Sequence, residues 1–331
     1  MSGGSPAFDS DMPSAASLLD RVLDATIAPG FSAIGSGVRR RLADWGPPIE
    51  RDLIGHTYVV TGTTSGIGAE IARSLVGAGA RVLAVGRDRD RTEGTSACLG
   101  AEAAVADMGD LNAVRDACRF IASATERIDG VVHNAGALVA ERIDNAAGIE
   151  STVAAQVLGP FLMTSLLLDR LSGNEAQPGR VITVASGGMY AAGLSVGSLQ
   201  MPAESYRGSE QYARAKRAQV TLNEMWADRV DRSRVVFHAM HPGWADTPGV
   251  RASLPRFHRT LSPVLRSTTD AADTVLWLLT SDEGESSSGG FWHDRRRRPI
   301  HRLPSTRRTD TPNRREQLWL QVEGLISQSD S

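Results

Sequence analysis

The chain has 331 residues, a formal charge of −2 and a pI near 6.4. That length can bury a large core, as one sizeable domain or two small ones, and so balanced a charge excludes a global pull toward nucleic acid or anionic membrane. Cys98 and Cys118 form no disulfide framework and no CxxC or Cys/His metal spacing, which fits a reducing, cytoplasmic setting without a metal site.

Residues 1–50 read as an N-terminal extension, partly disordered with short helices. Its start has no basic stretch leading into an apolar run, so it is not a secretory signal. Phe31, Ile34, Val38, Leu42 and Trp45 then fall at helical spacing beside Arg39, Arg40 and Arg41. This apolar stripe with a cationic flank is compatible with peripheral membrane contact through 31–45. Gly35 and Gly37 weaken such a helix, and packing across the core or on another subunit is the competing reading.

Between 51 and 300 strands and helices alternate. "TYVVTG" (57–62) reads as a strand, "GAEIARSLVGAGA" as a helix, "RVLAVG" (81–86) as a strand and "LNAVRDACRFIASATE" as a helix. "IDGVVHNAG", "RVITVAS" (180–186) and "RVVFHAMHPG" (234–243) are further strands, separated by helices. The alternation implies parallel crossovers, hence an α/β fold: a Rossmann-type doubly wound parallel sheet in a single domain, with N- and C-terminal helical extensions. The uncharged run between Glu150 and Asp169 is about long enough to cross a bilayer. Gln156, the Gly159-Pro160 pair and its hydroxyl residues suit a helix buried in protein instead.

In such sheets a ligand sits where the first strand meets its helix. "TGTTSGIG", Thr61 to Gly68, falls there. Gly62 allows the sharp turn, Gly66 lets backbone approach a pyrophosphate, and Gly68 lets the helix lie close on the sheet. The helix N-terminus then faces the phosphates. A lone glycine-rich match is weak, but a strand before it and a helix after it point to a dinucleotide site. Farther on, Tyr212 and Lys216 stand four apart on one helix face. By itself that pair is either a catalytic acid with its tuning cation or two solvated residues.

"TGTTSGIG", "NAG" at 134–136, Ser186 after a strand, "YARAK" at 212–216 and "HPGWADT" at 241–247 together resemble the short-chain dehydrogenase/reductase family, in the family's order and over roughly residues 55 to 300. "VITVASGGM", "YARAKRAQV", "HPGWADTPGV" and "ADTVLWLL" are similar to one subgroup, SDR family member 12. The resemblance implies that Tyr212 is the general acid for ketone reduction or the base for alcohol oxidation. Its free pKa of about 10 would be lowered by Lys216, which would also hold the nicotinamide ribose. Ser186 would hydrogen-bond the substrate oxygen. The long stretch after Ser186 resembles branches acting on lipophilic carbonyls, such as retinoid reductases. Met189, Tyr190, Leu194, Val196, Leu199 and Met201 either line a greasy pocket there or are loop packing.

One position departs from the family. Where members carry Asn in an N-x-L-G pattern, as a fourth catalytic group, this chain has Gln156-Val157-Leu158-Gly159. The added methylene shifts hydrogen bonds by about an ångström, and misplacement on that scale can cost on the order of a hundredfold in rate. The readings are a slower enzyme, an adjusted proton relay, or a cofactor-binding regulatory or scaffold protein with impaired catalysis.

For the cofactor, Gly86 stands where NAD-preferring members place a ribose-gripping acid, and Arg87 follows. A guanidinium clamps a 2′-phosphate, so NADP(H) is preferred with NAD(H) as the other possibility. Asp88 and Asp90 are competing partners for Arg87. The resemblance assigns cofactor contacts also to Thr64, Ser65, Ile67, Asp107, Met108, Asn134, Ala135, Gly136, Pro242, Gly243 and Thr247. Residues 244–266 resemble the mobile substrate lid. Arg251, Arg256, His258 and Arg259 there either receive an acidic substrate group or are solvated. The implied activity is hydride transfer to or from a lipophilic ketone or aldehyde, or a secondary or primary alcohol, in a homo-oligomer.

Residues 301–331 read as a tail and helix, with Leu318, Val322 and Leu325 on one face. "RRRRP" at 295–299 lacks an aromatic stacking platform, so a solvated tail loop is expected rather than nucleic-acid binding.

Overall fold

The structure is a computed structural model that describes residues 15–171 and 177–329. Eight strands among these residues form one sheet in the order β3-β2-β1-β4-β5-β6-β7-β8. They are β1 Thr57–Thr61, β2 Arg81–Gly86, β3 Glu102–Val105, β4 Gly130–His133, β5 Gly179–Val184, β6 Val235–Met240, β7 Gly290–His293 and β8 Arg296–Arg297. The first seven are parallel, and β8 returns antiparallel on β7.

The period-2 alternation of a strand sends successive side chains to opposite faces, and here both faces are buried, as a parallel sheet requires. Val59, Leu83, Val131, Val181 and Phe237 point to one face, under the helices Leu111–Ala124, Gly159–Leu167 and Gly208–Arg229. Val60, Val82, Val132, Ile182 and Met240 point to the other, under Gly66–Gly77 and Thr268–Thr280. The C-terminal helix Pro312–Gln328 joins the first of these cores through Leu318, Trp319 and Val322. No helix among the described residues is long and apolar enough to cross a membrane.

Elements not foreseen include the helix Thr268–Thr280, strands β7 and β8 and, with the weakest patterns, the helix Arg89–Leu99 and strand β3. The helix Arg89–Leu99 carries Gly94 and little amphipathic contrast, and β3 is the short, half-exposed edge segment Glu102-Ala103-Ala104-Val105, so neither of these two has a strong period.

The expectation of a solvated loop at 295–299 is corrected. Arg296 and Arg297 form β8, Arg295 pairs with Asp273 at 2.7 Å, and Arg298 reaches Asp20 at 2.8 Å. Arg295 and Arg298 are drawn in by their acids, while Arg296 and Arg297 form the hairpin strand and keep exposed side chains. The expected stripe in 31–45 is split as well: Phe31 is buried, Ile34 and Leu42 are exposed, and Val38 and Trp45 are half-buried. Arg39, placed in its cationic flank, is buried in ion pairs with Asp20 and Asp294.

Candidate active site

β1 has β2 on one side and β4 on the other, so the chain reverses direction across the sheet there and leaves a cleft beyond the strand ends. The turn after β1 needs left-handed backbone at Gly62 (φ 75°) and Gly66 (φ 61°). A Cβ on Gly68 would stand 2.2 Å from the Gly62 carbonyl oxygen and 2.4 Å from Asn134 Nδ2. That glycine therefore fits the helix against two loops rather than directly against the sheet. Asn134 Nδ2 donates to the carbonyls of Thr61 and Gly62 at 3.0 and 3.3 Å, and the Asn134 and Ala135 amides both donate to Thr61 Oγ1 at 3.0 Å. Asn134 and Ala135 thus lock the turn in place. Ser65 precedes the helix Gly66–Gly77 without capping it by its side chain, which leaves the helix end, with Thr64 and Ile67 flanking it, to an anion.

At the end of β2 a Cβ on Gly86 would stand 2.4 Å from Thr92 Oγ1 and 3.0 Å from Thr64 Cγ2, so an acid has no room there. Arg87 is exposed, with no hydrogen bond or ion pair among the described residues. Asp88 caps the next helix instead, through the Arg91 amide at 2.9 Å. Asp107 is exposed beyond β3, one carboxylate oxygen accepting from the Gly109 amide at 2.8 Å. The Met108 carbonyl lies so near Gly159 that a Cβ would meet it at 2.3 Å.

The opposite wall carries the ionisable groups. Ser186 follows β5, its Oγ accepts from the Gly188 amide at 3.2 Å, and it stands close enough to the Tyr212 phenol to act on its pKa. The helix Gly208–Arg229 presents Tyr212, half-buried, and Lys216, fully buried, whose Nζ lies 5.5 Å from the phenol ring centroid and donates to the Val184 carbonyl at 3.0 Å. Ser186, Tyr212 and Lys216 therefore converge at the end of β5. Burial raises the phenol pKa, with Ser186 pulling the other way. Burial also lowers the Lys216 pKa to about 7. Without cofactor, then, burial sets the direction of the phenol's shift, and the expected lowering by Lys216 is not seen. After β6, Gly243 (φ 76°) donates its amide to His241 Nδ1 at 3.0 Å, which fixes the Pro242-Gly243 turn. Thr247 Oγ1 accepts from the Val250 amide at 3.2 Å, and its Cβ lies 3.4 Å from where a Cβ on Gly66 would stand, so the two walls meet.

Gln156 lies in the π-helical turn Ala154–Leu158, buried, with Nε2 donating to the Ala137 carbonyl at 2.7 Å and its carboxamide 3.1 Å from a Cβ placed on Gly136. Pro160 has no N–H to give to the Gln156 carbonyl four residues earlier. Behind it is a cavity of about 30 Å³ lined by His133, Gln156, Gln219 and Asn223 among apolar neighbours. His133 Nδ1, Gln156 Oε1 and both amide atoms of Gln219 and Asn223 have no protein partner among the described residues. A polar space of that size admits one or two waters. Sequence reading missed Gln219 and Asn223, although they stand three and seven residues past Lys216, the spacing of one helix face.

Met189, Tyr190, Leu194, Val196, Leu199 and Met201 are all buried in the protein's own cores. They are loop packing, not pocket lining. The apolar surface near the cleft comes from the lid, where Trp244 meets Phe257 edge-on at 5.2 Å and Leu254 is exposed. Asp246 engages Arg251 at 2.8 Å and His258 at 3.0 Å, so these two cations already have an acid.

The family model for short chain dehydrogenases matches residues 56–256. Dehydrogenase/reductase SDR family member 12 from Bos taurus is 36% identical over 298 residues, 88% of this chain and 92% of the relative. Retinol dehydrogenase 12 from Bos taurus is 29% identical over 276 residues, 81% and 85% of the two chains. Among solved structures, the Pseudomonas aeruginosa RhlG/NADP active-site complex aligns with TM-score 0.61 at 23% identity, covering 72% of this chain and 94% of that one. The 3-ketoacyl-(acyl-carrier-protein) reductase from Brucella melitensis complexed with NADH aligns with TM-score 0.58 at 24% identity, covering 72% and 96%.

Proposed function

The chain belongs to the short-chain dehydrogenase/reductase family of oxidoreductases, and from that premise we propose that it reduces a lipophilic ketone or aldehyde with NADP(H), by way of Tyr212. The observation that carries the reading is the convergence of Ser186, Tyr212 and Lys216 beside a groove walled by glycine. The groove's donor set fits a dinucleotide: an uncapped helix end at Ser65, left-handed turns at Gly62 and Gly66, and the exposed Arg87 beside a Gly86 too crowded for an acid. Asp107 and Thr247 would hold its two ends, and Lys216 its nicotinamide ribose. A bound nicotinamide supplies the hydride.

The hydroxyls of Ser186 and Tyr212 hold the substrate oxygen, and Tyr212 gives up its proton as negative charge develops there. Burial raises the phenol pKa, so the proton that Tyr212 gives up is in place at the outset. Lys216, with a pKa of about 7, then supplies positive charge that favours the phenolate left behind. Trp244, Phe257 and Leu254 support a lipophilic substrate, in keeping with a relative whose name specifies retinol. NADPH absorbance followed across a panel of ketones and aldehydes tests the reading, with NADH run in parallel. Turnover of apolar carbonyls with NADPH is expected. Cofactor binding without consumption by any carbonyl would defeat it.

A further inference from the structure

Residues 27–42, outside the span matched by the family model, fold against the far side of the substrate wall. The Phe31 ring is 4% exposed. It meets His241 edge-on at 4.3 Å, His293 at 5.4 Å and Trp244 at 6.0 Å, and the Arg302 guanidinium stands 5.4 Å from its centre. A Cβ on Gly187, the residue after Ser186, would lie 2.7 Å from its Cε2. Its carbonyl accepts from the Trp244 amide at 2.8 Å and Arg266 Nε at 3.0 Å, and a Cβ on Gly243 would lie 2.6 Å from that oxygen. One residue thus touches both loops that face the reaction centre, the Ser186-Gly187-Gly188 turn and the Pro242-Gly243-Trp244 turn.

Phe31 is itself held firmly. Arg39, 3% exposed, binds Asp20 at 2.8 Å, the Gly30 carbonyl at 2.9 Å and Asp294 at 2.6 Å. Arg266 binds Asp294 at 2.5 Å and the Gly30 carbonyl at 3.1 Å, and His293 Nε2 lies 3.1 Å from that same oxygen. A membrane anchor or loose arm has no use for so many buried bonds to the β7–β8 turn.

We infer that Phe31 is a positioning residue for the reaction: the N-terminal helices wedge its ring behind Gly187 and Trp244, setting where the Ser186 hydroxyl and the cofactor-facing turn stand. The kinetic part of this inference rests on the reductase reading above; the structural part does not. The wedge predicts a compensation that loose packing would not give. Gly187→Ala pushes a methyl into the ring, and Phe31→Leu removes the ring edge it meets.

Four full-length proteins test it: wild type, Gly187→Ala, Phe31→Leu and the double variant. Carbonyl reduction, NADPH Kd and amide hydrogen exchange by mass spectrometry are measured for each. Each single variant is expected to lower kcat about tenfold, a fraction of the hundredfold that an ångström of misplacement can cost, with NADPH Kd changing far less than kcat. The double variant is expected to regain most of the Gly187→Ala loss. Exchange in Phe31→Leu is expected to rise in 186–190 and 242–244 but not in 62–68. Multiplying losses in the double variant, or exchange unchanged in both loops, would overturn the inference. A wild type without turnover would defeat the reductase reading alone, because exchange still decides whether the wedge exists. Should Phe31→Leu fold poorly by circular dichroism, Gly187→Ala is judged by the same exchange readout, and unchanged exchange at 186–190 and 242–244 in it counts against the wedge.

Discussion

The two walls of the cleft are built by different means. The nucleotide wall is made of backbone: left-handed glycines at 62 and 66, a helix end at Ser65, and Asn134 clamping one loop to another. The substrate wall is made of side chains gathered from far along the chain, as in the Arg39–Asp294 pair, whose partners lie 255 residues apart. Backbone devices cost little to encode, because a glycine or a helix start acts wherever it falls. A side-chain wall depends on the whole fold arriving first, and it brings buried charge with it. The walls should therefore fail differently: the first through shape, the second through chemistry and pH.

The largest expected effect isolates the second wall. Tyr212→Phe removes the proposed proton donor and should lower kcat for carbonyl reduction by about 10²- to 10⁴-fold, the range general acid catalysis supplies. NADPH Kd, read by cofactor fluorescence, should not move. A parallel loss of binding would mean the walls are not separable. Gly68→Ala is the converse. Its methyl meets the Gly62 carbonyl and the Asn134 amide, and overpacking of roughly 1–3 kcal/mol would weaken NADPH up to about a hundredfold. Unchanged Kd in calorimetry would show that the turn yields.

Acid should also separate the walls. Burial lowers His133 to about 3 and His238 and His293 to about 4, and none of the three lies on β1, β2 or β3. A histidine with a depressed folded pKa binds its proton more readily when unfolded. Its stabilisation is thus complete above about 6.5 and is lost as pH falls toward 4, at about 1.4 kcal/mol per pH unit for each group. Urea unfolding at pH 7 and pH 5 should reveal the loss, and hydrogen exchange at pH 5 should open β6 and β7 before β1 and β2. Equal opening would erase the contrast. At about tenfold, Arg87→Glu should reverse part of the proposed NADPH-over-NADH preference in kcat/KM, since it replaces the cation proposed to meet the 2′-phosphate with a repelling charge. No change in that ratio would remove Arg87 from cofactor choice.

Legibility in the sequence follows the same division. "TGTTSGIG" between a strand and a helix announced the nucleotide wall, because each glycine answers a local backbone demand. The parallel, doubly wound sheet followed from alternation, while weakly patterned β3 with its preceding helix, and the β7–β8 hairpin, escaped. The Tyr212/Lys216 spacing was visible, and so was the departure at Gln156. The brace was not. Phe31 and Arg39 stood out as an apolar stripe with a cationic flank, for which packing across the core was one reading, but nothing nearby in the chain reveals that Asp294 and Gly187 await them. The arginines at 295–298 misled for the same reason: their acids, Asp20 and Asp273, are remote. The apolar residues after Ser186 showed hydrophobicity correctly but not which side of the wall would bury it.

Gln156 stands between the walls and gives the smallest expected effect. Family likeness treats the glutamine as an asparagine with a methylene too many. Yet that methylene carries Nε2 to the Ala137 carbonyl at 2.7 Å, just beyond the 134–136 loop, while the π-helical turn is formed with glutamine in it. Asparagine would fall short of Ala137. Gln156→Asn should therefore cost about 1 kcal/mol, the net worth of one hydrogen bond, measured by urea unfolding, and kcat should not rise. A tenfold gain in kcat would instead mark the glutamine as a defect in the substrate wall. It would also shift weight to a protein retained for binding cofactor, because the family pattern would then predict the chemistry better than this chain's own contacts do.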